Sequence, residues 1–249
     1  MQRIVIIMIV MMTGILGSQA QEKTRMVGIG YTSDLDTYLS PEHYSGLDLR
    51  LIREDVSRKN DSRWMTAWKE DLRLSSTKTR SEDGSELSAL FSMAFDMLYS
   101  MQAGRLSWAI GGEAELFVGG TYNTSNGNNP AQLRLGLQLA PAIRASLPFR
   151  MLKKTMVARY SVVVPIVGAM FSPAYGQSYY EIFGRGNYDH NICLTSPMNA
   201  PSLTQQLTVS IPMKRKALTI GYLGDYRQAK PNSLREHSFT HSLLIGVTL

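Results

Sequence analysis

The sequence predicts an all-β fold, an antiparallel transmembrane β-barrel of about ten strands, with roughly eight or twelve as alternatives. Three observations carry that reading. Apolar and polar residues alternate with period two, again and again, along the 249 residues. Several alternating segments exceed the ~5–6 residues usual in soluble sheets and reach the ~9–11 that a tilted strand needs to cross a bilayer. The connections sort by length into two alternating classes, short periplasmic turns and long extracellular loops.

Residues 1–20 read as a secretory signal peptide. Arg3 supplies the positive start, Ile4 to Met12 an unbroken apolar run, and Ser18-Gln19-Ala20 small residues at the two inspected positions. At ~1.5 Å per residue that apolar run covers only half a bilayer core, too short for an anchor. The barrel domain is expected over residues 21–249, exported to the cell outer membrane.

Strands are expected near 24–33, 46–54, 64–76, 86–101, 106–122, 132–148, 155–172, 203–213, 218–227 and 237–249. Residues 203–213 are the cleanest: Leu203, Gln205, Leu207, Val209 and Ile211 share one face, and Thr204, Gln206, Thr208 and Ser210 the other. In 86–101 a helix through Leu87, Leu90, Ala94 and Leu98 competes. The strand pattern fits better, because Leu87, Ala89, Phe91, Met93, Phe95, Met97 and Tyr99 alternate without a miss. With the N-terminus in the periplasm, the short connections are 102–105, 148–154 and 213–217, with a longer polar one at 55–63. The long ones are 33–45, 77–85, 123–131, 173–202 and 228–236. Trp64, Trp68, Phe91, Tyr99, Trp108, Tyr122, Tyr160, Tyr222, Tyr226 and Phe239 all fall on apolar faces, several near strand ends, where amphipathic rings favour the membrane interface.

Composition narrows the function classes. With 44% hydrophobic and 18% charged residues the chain is not disordered in character. The net charge of +6 comes without a long Lys/Arg run, so no nucleic-acid partner is implied. The single Cys193 excludes an intrachain disulfide and a cysteine metal cluster. No nucleophile elbow, phosphate loop, zinc helix or calcium loop is present, so neither cofactor nor metal is expected.

If the apolar faces meet lipid, the opposite faces line the lumen. That set holds Asp48, Arg50, Lys69, Asp71, Arg73, Asp96, Glu113, Glu115, Arg134, Arg144, Arg159, Asp225 and Arg227, six acidic and seven basic groups. Such near balance in a narrow barrel points to an ion-pair network and a largely plugged, non-enzymatic interior rather than an open channel. The alternatives within that class are a structural, an adhesive or a small-solute pore protein. In the longest connection, Tyr179, Tyr180, Phe183 and Tyr188 stand among glycines, suited either to an extracellular sugar or protein ligand or to packing on the rim.

Leu35-Asp36-Thr37-Tyr38-Leu39-Ser40-Pro41, followed by Tyr44 and Gly46, resembles an uncharacterised outer-membrane barrel family of Gram-negative, Bacteroides-like bacteria. The resemblance implies the barrel fold and contact with outer-membrane lipid. Phe239 to Leu249 resembles the C-terminal strand that barrel assembly machinery reads, with Leu249 in place of the usual aromatic. The alternative function is a barrel hydrolase: the omptin proteases, which this chain resembles in strand number, use an acidic pair and an Asp–His couple at the rim. The corresponding candidates are Asp34, Asp36, Asp189 and His190, with Asp34 and Asp36 in the first loop and Asp189 and His190 adjacent.

Overall fold

A computed structural model describes residues 22–58, 62–127 and 129–249, so the expected signal peptide lies outside the described residues. The strands are β1 (Glu22–Asp36), β2 (Ser40–Arg58), β3 (Trp64–Lys78), β4 (Ser85–Ala103), β5 (Leu106–Asn123), β6 (Ala131–Met151), β7 (Lys154–Val163), β8 (Val167–Phe171), β9 (Ile192–Thr195), β10 (Leu203–Pro212), β11 (Ala217–Ala229) and β12 (Glu236–Thr248). Between β8 and β9 lies a single π-helical turn, Tyr180–Gly184, and before β12 a 3-10 turn, Pro231–Ser233.

Neighbouring strands pair antiparallel in the order β5-β4-β3-β2-β1-β12-β11-β10-β7-β6, and β5 pairs with β6 to close the ring. Ile29 opposite Leu243 sits at the junction of the first and last strands, and reciprocal main-chain bonds between Lys23 and Leu249, 3.1 and 2.9 Å, finish it. Segment 86–101 is strand, as its alternation required.

Two expectations need correction. Residues 155–172 are not one strand: Pro165 separates β7 from β8, because proline cannot donate to a ladder. The short β8 and β9 continue the lines of β7 and β10, so the barrel still has ten staves. The first long loop, 33–45, also shrinks. β1 and β2 run on through Asp34 and His43, and only Thr37–Leu39 remain outside the two strands.

The burial pattern is inside out. The outward positions Ile29, Leu51, Leu137 and Leu243 are more than half exposed, whereas the inward Thr32, Asp48, Thr240 and Ser242 are at most 1% exposed. Soluble monomers seldom leave so large an apolar surface open, and a lipid-facing belt does so by design. Among the described residues, apolar packing inside includes two small groups, one of Met26, Ile52, Leu223 and Leu244, the other of Leu98, Ala109, Ala140, Ala142 and Val163.

Tight curvature depends on glycine at one telling place. A Cβ on the inward Gly30 would collide with the His241 carbonyl oxygen and stand 2.7 Å from Ser242 Cα. Only glycine lets β12 lie that close to β1. Gly30→Val should therefore destabilise the barrel by about 1–3 kcal/mol, by forcing the closing strands apart. Urea titration followed by the mobility of unboiled samples on a gel would measure it.

Candidate functional site: the charged lumen and its rim

Strand parity decides which side chains enter the lumen, and all thirteen of the expected lumen residues lie on inward positions of the ladder. Arg50 is the hub. Its Nε reaches Asp48 at 3.2 Å, Nη1 Asp71 at 2.6 Å and Nη2 Asp225 at 2.8 Å, and the side chain is almost wholly buried. Arg73 donates to Asp48 at 2.6 Å and to the hydroxyls of Thr32 and Ser238, each at 2.6 Å. Arg227 joins Asp225 at 3.1 Å and crosses to Glu115 on β5 at 2.8 Å. Arg144 joins Glu54 on β2 at 2.5 Å and also holds Asp96. Lys69 stands 3.7 Å from Glu113, and Arg159 2.7 Å from Glu22. Planar guanidiniums suit this role, since each fork can satisfy two or three carboxylates at once.

The interior is more acidic than the near-balanced set expected. Glu22, Glu54, Glu86 and Glu236 also point inward, as do Asp34 and Asp36 from the rim. Asp36 is bound by Arg134 at 2.8 Å, and Glu236 shares the same guanidinium. Adding these six to the six acids already named gives twelve carboxylates against the seven cations of the expected set, with Arg58 and Arg150 on inward positions at the exposed turn end, among the described residues.

Cavities lie on either side of this network among the described residues. The upper one, about 110 Å³, lies under the loops among Asp34, Glu86, Phe117, Arg134, Arg227 and Glu236. The lower one, about 230 Å³, lies at the turn end among Glu22, Glu54, Met65, Arg144, Arg159 and Thr208. No residue lines both. Arg50, Lys69, Asp71, Asp96 and Glu113, which line neither, form the charged layer between them.

Among the described residues the rim candidates form two separate groups, and no ion pair joins Asp34 or Asp36 to His190. Asp189 contacts His190, both exposed in the loop. Asp34 and Asp36 instead face inward, Asp34 3.4 Å from Arg73 and Asp36 held by Arg134. His43, His237 and His241 occupy outward positions: the rings of His43 and His237 lie 5.1 Å apart, and His241 Nδ1 is 2.6 Å from the Tyr222 hydroxyl.

The aromatics of the 173–202 connection divide into two sets. Tyr179 packs inward: its hydroxyl donates to Gln132 at 2.8 Å and accepts from the Leu133 N–H at 2.6 Å, and its ring stacks on Phe183 at 5.9 Å. Tyr180 and Tyr188 stay exposed. Glu181, in the first turn of the π-helical segment, accepts from the Ser178 N–H and hydroxyl, which hold its carboxyl below the usual range.

A closed ten-stave barrel, polar within and apolar without, is a fold of the outer-membrane β-barrel type. The chain belongs to the family described as "Protein of unknown function (DUF3316)", which it matches over residues 16–248. No curated protein matches it at a significant level. Among solved structures it is similar to the outer membrane protease OmpT from Escherichia coli, at 5% identity and TM-score 0.44, covering 93% of this chain and 97% of that one. The transport unit of the autotransporter AIDA-I from Escherichia coli is similar at 6% identity and TM-score 0.43, with 94% and 90% covered. Ail, the attachment invasion locus protein of Yersinia pestis, is similar at 9% identity and TM-score 0.29, with 92% and 98% covered.

Proposed function

We propose that the protein is a closed, non-enzymatic barrel of the cell outer membrane, exported through its N-terminal segment, whose lumen is sealed by charge and whose loops meet the exterior. The observation that carries this reading is the separation of the two cavities by the layer around Arg50 and Lys69. A hydrated ion would have to break several buried ion pairs to pass, and each buried charge left unpaired is costly. The apolar belt supports the lipid environment, and β12, whose outward face alternates Phe239, Leu243, Ile245, Val247 and Leu249, suits recognition by the assembly machinery. Exposed Tyr180 and Tyr188 suit contact with a sugar or protein outside the cell.

Reconstitution in planar bilayers tests the seal. The expected result is no stable single-channel current, with conductance appearing in Arg144→Ala, whose loss removes one cross-lumen tie. Large steady currents in the unmodified protein would overturn the proposal. Recovery of the folded protein in the soluble periplasmic fraction would overturn the membrane placement.

A further inference from the structure

Arg227, which lines the upper cavity, has a donor to spare. Its Nε bonds Asp225 at 3.1 Å and its Nη2 Glu115 at 2.8 Å, but Nη1 is buried and has no hydrogen-bond partner among the described residues. The Phe117 ring lies against the guanidinium, 5.4 Å from its carbon, and offers no oxygen. A buried donor left bare is unfavourable, so an acceptor here is favoured. The carboxylates of the lining are already engaged: Asp36 and Glu236 by Arg134, Asp34 by Arg73 at 3.4 Å, and Glu86 by the Asn123 amide at 3.0 Å.

The barrel wall is interrupted beside the same arginine. Between β7 and β8 the ladder to β6 continues through the Val164 N–H to the Pro141 carbonyl at 3.3 Å and the Ile166 N–H to the Leu139 carbonyl at 3.0 Å. On the other side it stops. Val163 pairs with Thr204 and Gly168 with Thr195, leaving residues 164–167 opposite 196–203 without ladder pairing among the described residues. Because the donors of 164 and 166 face β6, the main-chain groups of residue 165 face the break, and proline has no N–H to place there. The longer side turns away instead: the Asn199 carbonyl accepts from the Lys230 N–H at 2.8 Å, and the Ser202 hydroxyl from the Gln228 N–H at 3.4 Å. Tyr226 is the ladder partner of Leu203, so Arg227 stands level with Ser202, at the edge of the break.

Outside, this window is rimmed by exposed Val164, Ile166, Val167 and Leu194. It lies in the belt, since Val167 pairs with Leu139 and Ala169 with Leu137. Inside, it abuts the upper cavity, whose lining includes Pro165, Ala200 and Ser202. At about 110 Å³ that cavity has room for about four water-sized groups of roughly 30 Å³ each. A carboxyl group and its first methylene fit, whereas a glycerol with its phosphate does not. A carboxylic acid in hydrocarbon keeps its proton, because an isolated charge there is costly, so such a head adds no charge to the lining.

We propose that the upper cavity holds the protonated carboxyl head of a long-chain fatty acid, entered sideways from the bilayer, with its carbonyl oxygen on Arg227 Nη1 and its alkyl chain lying through the window beside Pro165 and Ala200. The site reads a carbonyl oxygen rather than a charge, and the chain stays in contact with the apolar belt throughout. This rests on the membrane placement of the barrel and is independent of whether the lumen conducts.

The test uses the barrel refolded in phosphatidylcholine vesicles at mildly acidic pH. Hexadecanoic acid, its primary amide, hexadecylamine and hexadecane, each carrying the same diazirine, are irradiated there, and the cross-links mapped by mass spectrometry. Expected are cross-links to Pro165 and Ala200 by the acid and the amide, about tenfold above those by the amine and the hydrocarbon. Arg227→Lys keeps a cation for Asp225 and Glu115 without the spare nitrogen. It should lower window labelling by the acid several-fold and leave labelling at the outward Ile29 and Leu51 unchanged. Ser88→Trp, which fills the cavity, should remove window labelling. Should either variant fail to fold, the comparison of heads on the unmodified protein decides. Window labelling by the amine or the hydrocarbon equal to that by the acid, labelling by the amide without the acid, or indifference of a folded barrel to Arg227→Lys would each overturn the proposal. A barrel lacking a folded gel band in these vesicles would refute the membrane placement, whereas a folded one without window cross-links refutes the site.

Discussion

Arg50→Ala should destabilise the barrel by at least about 3–5 kcal/mol, the cost of stripping a buried ion-pair partner. One substitution leaves Asp48, Asp71 and Asp225 facing one another, and only Asp48 and Asp225 keep a second arginine, at Arg73 and Arg227. Asp71 would have no cation at ion-pair distance. Arg50→Lys keeps the charge but not the fork, so it should recover part of the loss, since an ammonium cannot reach three carboxylates in one plane. The measurement is the urea midpoint for the heat-sensitive gel band, with Arg50→Met as the apolar comparison. A midpoint for Arg50→Ala within error of the unmodified protein would show that the central layer contributes nothing.

Leu137→Arg is expected to cost about 2–4 kcal/mol if the residue sits near the bilayer midplane, because a guanidinium there must desolvate or thin the bilayer around it. Its neighbour gives the control. Gln138 points inward and donates to Glu115, so Gln138→Arg places a cation beside a carboxylate in an acidic lumen and should cost far less. Refolding into lipid vesicles across a urea series measures both. Equal effects at the two positions would contradict the assignment of faces.

The fold was largely legible because period-two alternation records directly which face each residue occupies. Parity alone put Asp48, Arg50, Arg73 and Asp225 in the lumen and Leu137 and Leu243 outside. The same parity extends to Glu54, two positions on from Ile52 and four from Arg50, and to Glu86, ten before Asp96; both are the terminal residues of the expected segments 46–54 and 86–101 and were passed over in the lumen set. What alternation cannot supply is which groups meet across the lumen. Arg144 finds Glu54, 90 residues away, and Arg227 finds Glu115, 112 away, through the stagger and closure of the whole ring. The break at Pro165 was visible as a proline within an apolar run, but the excursion of 196–202 that widens it into a window depends on bonds to Gln228 and Lys230. For the rim candidates, Asp34 and Asp36 share one face of β1 by the same parity and meet guanidiniums in the lumen, a pairing that only the closed ring brings about.

The seam between β1 and β12 sets the order of events in folding. Thr24 and Thr248 share a hydrogen bond across 224 positions of sequence, so the pairing that completes the ring closes nearly the longest loop the chain can form. Hairpins such as β4–β5 and β6–β7 form through turns of two residues and can zip early, but β1 keeps a bare edge until the final strand arrives. Until then the chain is an open ribbon with one sticky margin at each end. Its escape from aggregation waits on the pairing of β12 with β1.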